Sequence, residues 1–111
     1  MKTNIIQNED FMLVEVSGDI THAVAGEFEQ TLSQALRARP LLVIDLHAVR
    51  LLTSAGLRTL LLLHRQATET RKRVALAAIP SQVRDVMDIT GFLEQFETFP
   101  SVAEALATTQ R

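Results

Sequence analysis

Apolar and polar residues alternate along the start of the chain, and residues 3–7 and 11–17 read as two strands around the polar Asn8-Glu9-Asp10. In the second strand Phe11, Leu13 and Glu15 face one way, while Met12, Val14 and Val16 face the other. So short a polar connection predicts an antiparallel hairpin, and Gly18 is expected to end it. The period then changes. Val24, Phe28, Leu32 and Leu36 recur at intervals of four, with Ala25 and Ala35 beside them and Glu27, Glu29, Gln30 and Gln34 on the opposite side. This spacing predicts a helix over residues 21–37. Gly26 costs that helix about 1 kcal/mol, so close packing is expected there. Pro40 closes the segment.

The next six residues, Leu-Leu-Val-Ile-Asp-Leu at 41–46, form a nearly unbroken apolar run that suits a central strand buried on both faces. A second helix is predicted over residues 55–71, with Leu57, Leu60, Leu61, Leu63 and Ala67 as its apolar stripe. Arg71-Lys72-Arg73 at its end would complement the negative pole of the helix dipole. Residues 74–79 read as another buried strand, stopped by Pro80. A short helix over 81–90 is expected to pack through Val83, Val86 and Met87, with Gly91 as its C-terminal cap. Residues 96–99 form a last edge strand, and Ser101-Val102-Ala103-Glu104 is a capping box opening a helix that turns Val102, Ala105 and Leu106 inward. The order ββαβαβαβα demands parallel pairing after the first hairpin. The expectation is one α/β domain over residues 1–111, a four- to five-stranded mixed sheet with four helices packed on it.

Composition removes several classes of function. Lys and Arg number 11 against 13 Asp and Glu, and this near balance argues against a dedicated nucleic-acid binder. The absence of cysteine eliminates disulfides, thiol nucleophiles and zinc ribbons, and points to a reducing, cytoplasmic setting. No apolar run approaches the ~20 residues that span a bilayer, so no membrane insertion is expected. Met1-Lys2-Thr3-Asn4-Ile5 lacks the apolar stretch of a signal peptide.

Chemistry is most readable between the third strand and the second helix, residues 45–57, because open α/β sheets work beyond the C-terminal ends of their strands. Thr53 and Ser54 place two hydroxyls at the start of a leucine-rich helix, where unpaired N–H groups and the dipole tolerate an added phosphate. The competing reading is that one of them simply caps the helix. Asp45 ends an apolar strand, either in a local turn bond or in a role near Ser54. Enzyme signatures are missing. Ser54 lies in Thr-Ser-Ala-Gly-Leu and not in a nucleophile elbow. A hydrolase pairing Ser54 with His47 finds no oxyanion site. His22, His47 and His64 lack metal-ligand spacing, no glycine-rich phosphate loop is present, and Asp19, Asp45, Asp85 and Asp88 are scattered. Neither a metal nor a cofactor is expected.

Residues 43–60, Val-Ile-Asp-Leu-x7-Ser-x-Gly-Leu-x-x-Leu, resemble the signature of STAS domains, specifically bacterial anti-sigma factor antagonists. Val16-Ser17-Gly18-Asp19-Ile20-Thr21 and Asp88-Ile89-Thr90-Gly91-Phe92 are similar to two further segments of that family. The resemblance implies a STAS fold and a role without catalysis. It implies that Ser54 is phosphorylated by an anti-sigma factor, a serine kinase with a histidine-kinase-like ATPase fold, and dephosphorylated by a metal-dependent serine/threonine phosphatase. The unphosphorylated antagonist would bind the anti-sigma factor and free a sigma factor. Asp19 and Asp45 match acidic positions bordering the phosphosite, alongside Thr53, Ala55 and Gly56. Thr53, Ser54, Gly56, Leu57 and Arg58 are the implied partner contacts, with His64 and Arg65 further along the helix. The common family pattern is Asp-Ser-Ser/Thr-Gly. Here Thr53 replaces the acid and Ala55 a hydroxyl, which leaves Thr53 as the rival acceptor. The alternative role is a STAS subunit docking on a membrane transport complex or stress-signalling scaffold without phosphorylation.

Overall fold

β1 (Lys2–Gln7) and β2 (Phe11–Ile20) form the expected antiparallel hairpin in the computed structural model, which describes residues 1–110. Asn8 closes its turn, accepting at Oδ1 from the Asp10 and Phe11 N–H groups at 2.8 and 3.0 Å. There follow α1 (Ala25–Ala38), β3 (Leu41–Leu52), α2 (Ser54–Glu69), β4 (Arg73–Ala77), α3 (Ser81–Ile89), β5 (Glu97–Phe99) and α4 (Val102–Ala107). The strands lie in the order β1-β2-β3-β4-β5, and every pairing after the hairpin is parallel. The result is the mixed α/β sheet that the order of elements demanded, with five strands and four α-helices.

The two faces of the sheet are covered unequally. Met12, Val14 and Val16 of β2 and Leu42 and Ile44 of β3 pack with Phe28 and Leu32 of α1, Leu60 and Leu63 of α2, and Val83 and Met87 of α3. The other face holds Leu13, Leu41, Val43, Ala75 and Ala77 under Ala105 of α4. Ser101 caps α4 as the capping box predicts, its Oγ accepting from the Glu104 N–H at 3.2 Å. Gly91, at φ +75°, turns the chain out of α3, and the Phe92 N–H returns to the Met87 carbonyl at 3.0 Å.

Several expectations are corrected. Gly18 does not end β2; the strand runs to Ile20 and pairs with β3 all the way to Leu52. Residues 22–24 form a single 3-10 turn, so α1 starts at Ala25. Gly26 is not in a tight contact: a methyl group there would meet nothing within 4 Å. Val86 is not a packing residue of α3 but 40% exposed. The basic run closes α2 through its backbone, the Arg71 and Lys72 N–H groups donating to the Thr68 and Ala67 carbonyls at 3.3 and 2.8 Å, but its charged side chains go elsewhere. Arg71 takes the left-handed conformation, φ 58°, and Lys72 swings to α1, where its Nζ donates to the Leu36 and Arg37 carbonyls, both at 2.7 Å. Arg73 enters β4 and clasps Glu97 of β5 at 2.7 and 3.1 Å, and that carboxylate holds the guanidinium above its ordinary pKa.

Lys72 thus satisfies carbonyls that the last turn of α1 leaves free, with charge of the favourable sign. Lys72→Met, which keeps the stem and removes the ammonium, is expected to lower unfolding free energy by about 1 kcal/mol in urea titrations, with an unchanged m-value.

Candidate functional site

The site begins where β2 and β3 outrun the rest of the sheet. β4 pairs with β3 only as far as Asp45, whereas β2 stays paired to Leu52. Over that stretch β3 uses 52 − 45 = 7 steps against 20 − 15 = 5 in β2. The two extra residues are bulges, and each reverses the facing of the side chains that follow. Leu46, Val49 and Leu52 therefore all enter the helix-covered core at intervals of three.

At the end of this ribbon the Ile20 carbonyl accepts two bonds from Thr53, from its N–H at 3.1 Å and from its Oγ1 at 2.9 Å. Thr53 occupies the cap position of α2 in an extended conformation, φ −81° and ψ 171°, without a side-chain capping bond. Its hydroxyl is committed to the strand behind it. Ser54 is the first residue of α2 and is exposed. Gly56 lies underneath. A Cβ at this position would stand 2.5 Å from Leu52 Cδ1 and 2.9 Å from Ile20 Cγ2, so glycine lets the first turn of α2 settle onto the strand ends without displacing those two side chains.

Ser54 opens onto a groove of about 490 Å³ between the starts of α1 and α2. Ser54, Ala55, Arg58, Thr59 and Leu62 form one wall, and His22, Ala25, Gly26 and Glu29 the other. Arg58 is exposed one turn after Ser54, while Thr59 is buried with its hydroxyl donating to the Ala55 carbonyl at 3.2 Å. The α1 wall is absent from the sequence reading, because it is joined to Ser54 only through tertiary packing. Gly26, a small residue on an exposed helix face, is its one trace in the sequence.

The remaining expected site residues separate. Thr53, Ala55 and Gly56 adjoin Ser54, as the chain requires. Leu57, expected at the partner, is 4% exposed and belongs to the core, and buried Gly56 acts from beneath. Asp19 lies in the ribbon leading to Thr53 and faces Arg50 at 3.5 Å. Asp45 does not approach Ser54: it lies on the order of 20 Å back along β3 from Leu52. Its carboxylate is buried, accepting the His47 N–H at 3.1 Å and lying 3.2 Å from that residue's Nδ1. This is the local turn bond, the first of the two readings of Asp45. His64 packs edge-on against Phe96 with ring centroids 5.3 Å apart, so its ring is a packing group, whereas Arg65 stays exposed. Among the described residues no cluster of His, Asp and Glu suits a metal ion, and no helix is long and apolar enough to cross a membrane.

Residues 2–105 match the STAS domain family, and the chain belongs to it. BtrV of Bordetella bronchiseptica, named as an anti-sigma factor antagonist, is 29% identical over 108 residues, covering 96% of this chain and 93% of BtrV. The crystal structure of an anti-sigma factor antagonist from Mycobacterium paratuberculosis superposes with a TM-score of 0.87 at 26% identity, over 99% of this chain and 94% of that one. The anti-sigma factor antagonist SpoIIAA in its unphosphorylated form shares the fold, with a TM-score of 0.82 at 15% identity over 98% and 96% of the two chains.

The two glycines flanking the groove give opposite expectations. Gly56→Ala should destabilise by about 1–3 kcal/mol through overpacking against Leu52 and Ile20. Gly26→Ala, with open space around it, should stabilise α1 by about 0.5–1 kcal/mol. Thermal unfolding of both variants beside the parent reads the signs directly.

Proposed function

We propose that this protein is an anti-sigma factor antagonist that works as a partner switch, with Ser54 as its phosphoacceptor and the Ser54 groove as its docking face. The observation that carries the reading is the exposed Ser54 hydroxyl at the mouth of the groove, on a helix turn whose underside is locked by Gly56 and Thr53. The family membership supports the class of partner. In this reading the unphosphorylated protein binds an anti-sigma factor in the cytoplasm and frees the sigma factor. The anti-sigma factor, as a serine kinase, transfers the γ-phosphoryl group of ATP: Ser54 Oγ attacks phosphorus, the bond to ADP breaks, and the hydroxyl proton passes to a base on the kinase. A metal-dependent phosphatase restores the hydroxyl. Thr53 is the weaker acceptor, because its hydroxyl already donates to Ile20.

The switch needs no refolding. A phosphate adds about −1.5 to −2 charge at neutral pH. In an interface shaped for a neutral hydroxyl, that charge would be desolvated with no matching cation on the anti-sigma factor, at a cost of several kcal/mol, roughly a thousandfold in affinity. Arg58 adds a second effect. It stands four residues after Ser54 on the same groove wall, the spacing at which opposite charges pair on a helix. The phosphate therefore competes with the partner for the same guanidinium.

Incubation with the cognate kinase and ATP, followed by intact-mass measurement and a binding titration, tests the reading. Ser54→Ala should gain no phosphate and stay bound; Ser54→Asp should fold normally and bind poorly. A phosphate on Ser54→Ala would move the acceptor elsewhere, and full affinity of the Ser54-phosphorylated protein would overturn the exclusion mechanism. Independently, Arg58→Glu should weaken binding at least tenfold with an unchanged melting temperature. Unaltered affinity removes Arg58 from the interface.

A further inference from the structure

β1 is the outer strand of the sheet, and all six of its residues are exposed. The direction of its hydrogen bonds follows from the turn. The Asn8 N–H donates to the Phe11 carbonyl at 3.1 Å, which makes 8 and 11 a hydrogen-bonded pair. Alternation along an antiparallel ladder then assigns Ile6–Leu13, Asn4–Glu15 and Lys2–Ser17 as the next such pairs. The backbone groups of Thr3, Ile5 and Gln7 consequently point away from β2, toward the open edge. Edge strands are usually blunted by a proline, a bulge or a central charge. β1 has no proline or bulge, and its one charged residue, Lys2, stands at its end. Its large apolar residues are Ile5 and Ile6, 48% and 47% exposed, one on each face of the sheet.

We propose that this edge pairs with β1 of a second copy of the chain, antiparallel, about a two-fold axis through Ile5. The outward-facing residues choose the register. Centred on Ile5, the three residues with free groups pair only among themselves: Ile5 with Ile5 of the second copy, and Thr3 with its Gln7. The same register sets Lys2 opposite Asn8 of the second copy, beside the acidic turn residues Glu9 and Asp10; Arg39, which donates to the Asn8 carbonyl at 2.6 Å and to Gln7 Oε1 at 2.8 Å, offsets one of these two charges and leaves one for Lys2, twice by symmetry. Ile5 also lines a cleft of about 320 Å³ between β1 and α1, and the Ile5 side chain across the axis covers its open side. Pairing would join the two sheets into one, while the groove at Ser54, between α1 and α2, stays open on both copies. Two strands of six residues bury less than the roughly 1,200 Å² of a standard interface, so the association belongs to the weak, concentration-dependent class.

Sedimentation equilibrium and amide exchange on the full chain test the proposal. The molar mass should rise from 12.3 kDa toward twice that value with concentration, and the Thr3, Ile5 and Gln7 amides should slow several-fold in parallel. Ile5→Pro deletes an outward N–H and leaves the β2 ladder intact; Ile5→Lys sets like charges across the axis. Both variants should keep the parent's circular dichroism and remain at 12.3 kDa. A parent that stays at 12.3 kDa at every concentration up to about 1 mM, or variants that associate as the parent does, would overturn it.

Discussion

The Ile20 carbonyl, receiving both the amide and the hydroxyl of Thr53, is the joint on which the functional face depends. It fixes where β2 stops, where α2 starts and how far apart α1 and α2 stand, because α1 departs from the end of β2 through a single 3-10 turn. Each of these bonds contributes on the order of 1 kcal/mol, a small energy beside that of the core, yet their geometry decides which side of the first turn of α2 meets solvent. The residue after the joint, Ser54, is exposed; the two residues beyond Ala55 are buried. Pinning Thr53 in this way fixes the backbone on which the exposed Ser54 stands.

The bulged ribbon of β2 and β3 explains why so small a domain has a protruding site. Parallel strands paired on both sides are normally covered to their ends. Here β4 stops at the level of Asp45, and the next residues of β3 are supported on one side only. Asp45 closes the step. With its carboxylate bound to the His47 amide, it ends the three-strand region without leaving a buried charge unbonded. Its service is structural and local, although its acidic character and position before the hydroxyls suggest a part in the site.

The architecture was legible because each of its signals is local. Period four in α1, the unbroken run at 41–46 and the capping box at Ser101 are each set by residues within one element. What escaped reading depends on contacts between elements. Leu46, Val49 and Leu52 face one core at intervals of three, a spacing that matches neither an ordinary strand nor a helix, so residues 45–53 read as a turn. Lys72 closes the helix it follows with its N–H, on the Ala67 carbonyl at 2.8 Å, but its ammonium leaves that helix for partners 36 and 35 residues away. Ser54 stood out in the motif itself, and Leu57 belongs to the core as its place in the apolar stripe of the helix indicates, against the partner contact that the family resemblance implied for it. The α1 wall of the groove carries no motif, since a concave surface between two helices has no signature in either one alone.

The seat of Gly56 has an evolutionary consequence. Its missing side chain leaves the room that Leu52 and Ile20 fill, so the three positions form one steric unit assembled from two separate stretches of chain. A larger residue at 56 meets both Leu52 and Ile20, so shortening Leu52 alone still leaves the Ile20 methyl 2.9 Å from its Cβ, and a shortened Leu52 with glycine still in place leaves a void that carries its own penalty. Either path crosses a less stable intermediate. Descendants of this sequence can therefore change Ser54, Ala55 or Arg58 one at a time, while the seat beneath them changes only by coordinated substitution and is held in place by epistasis.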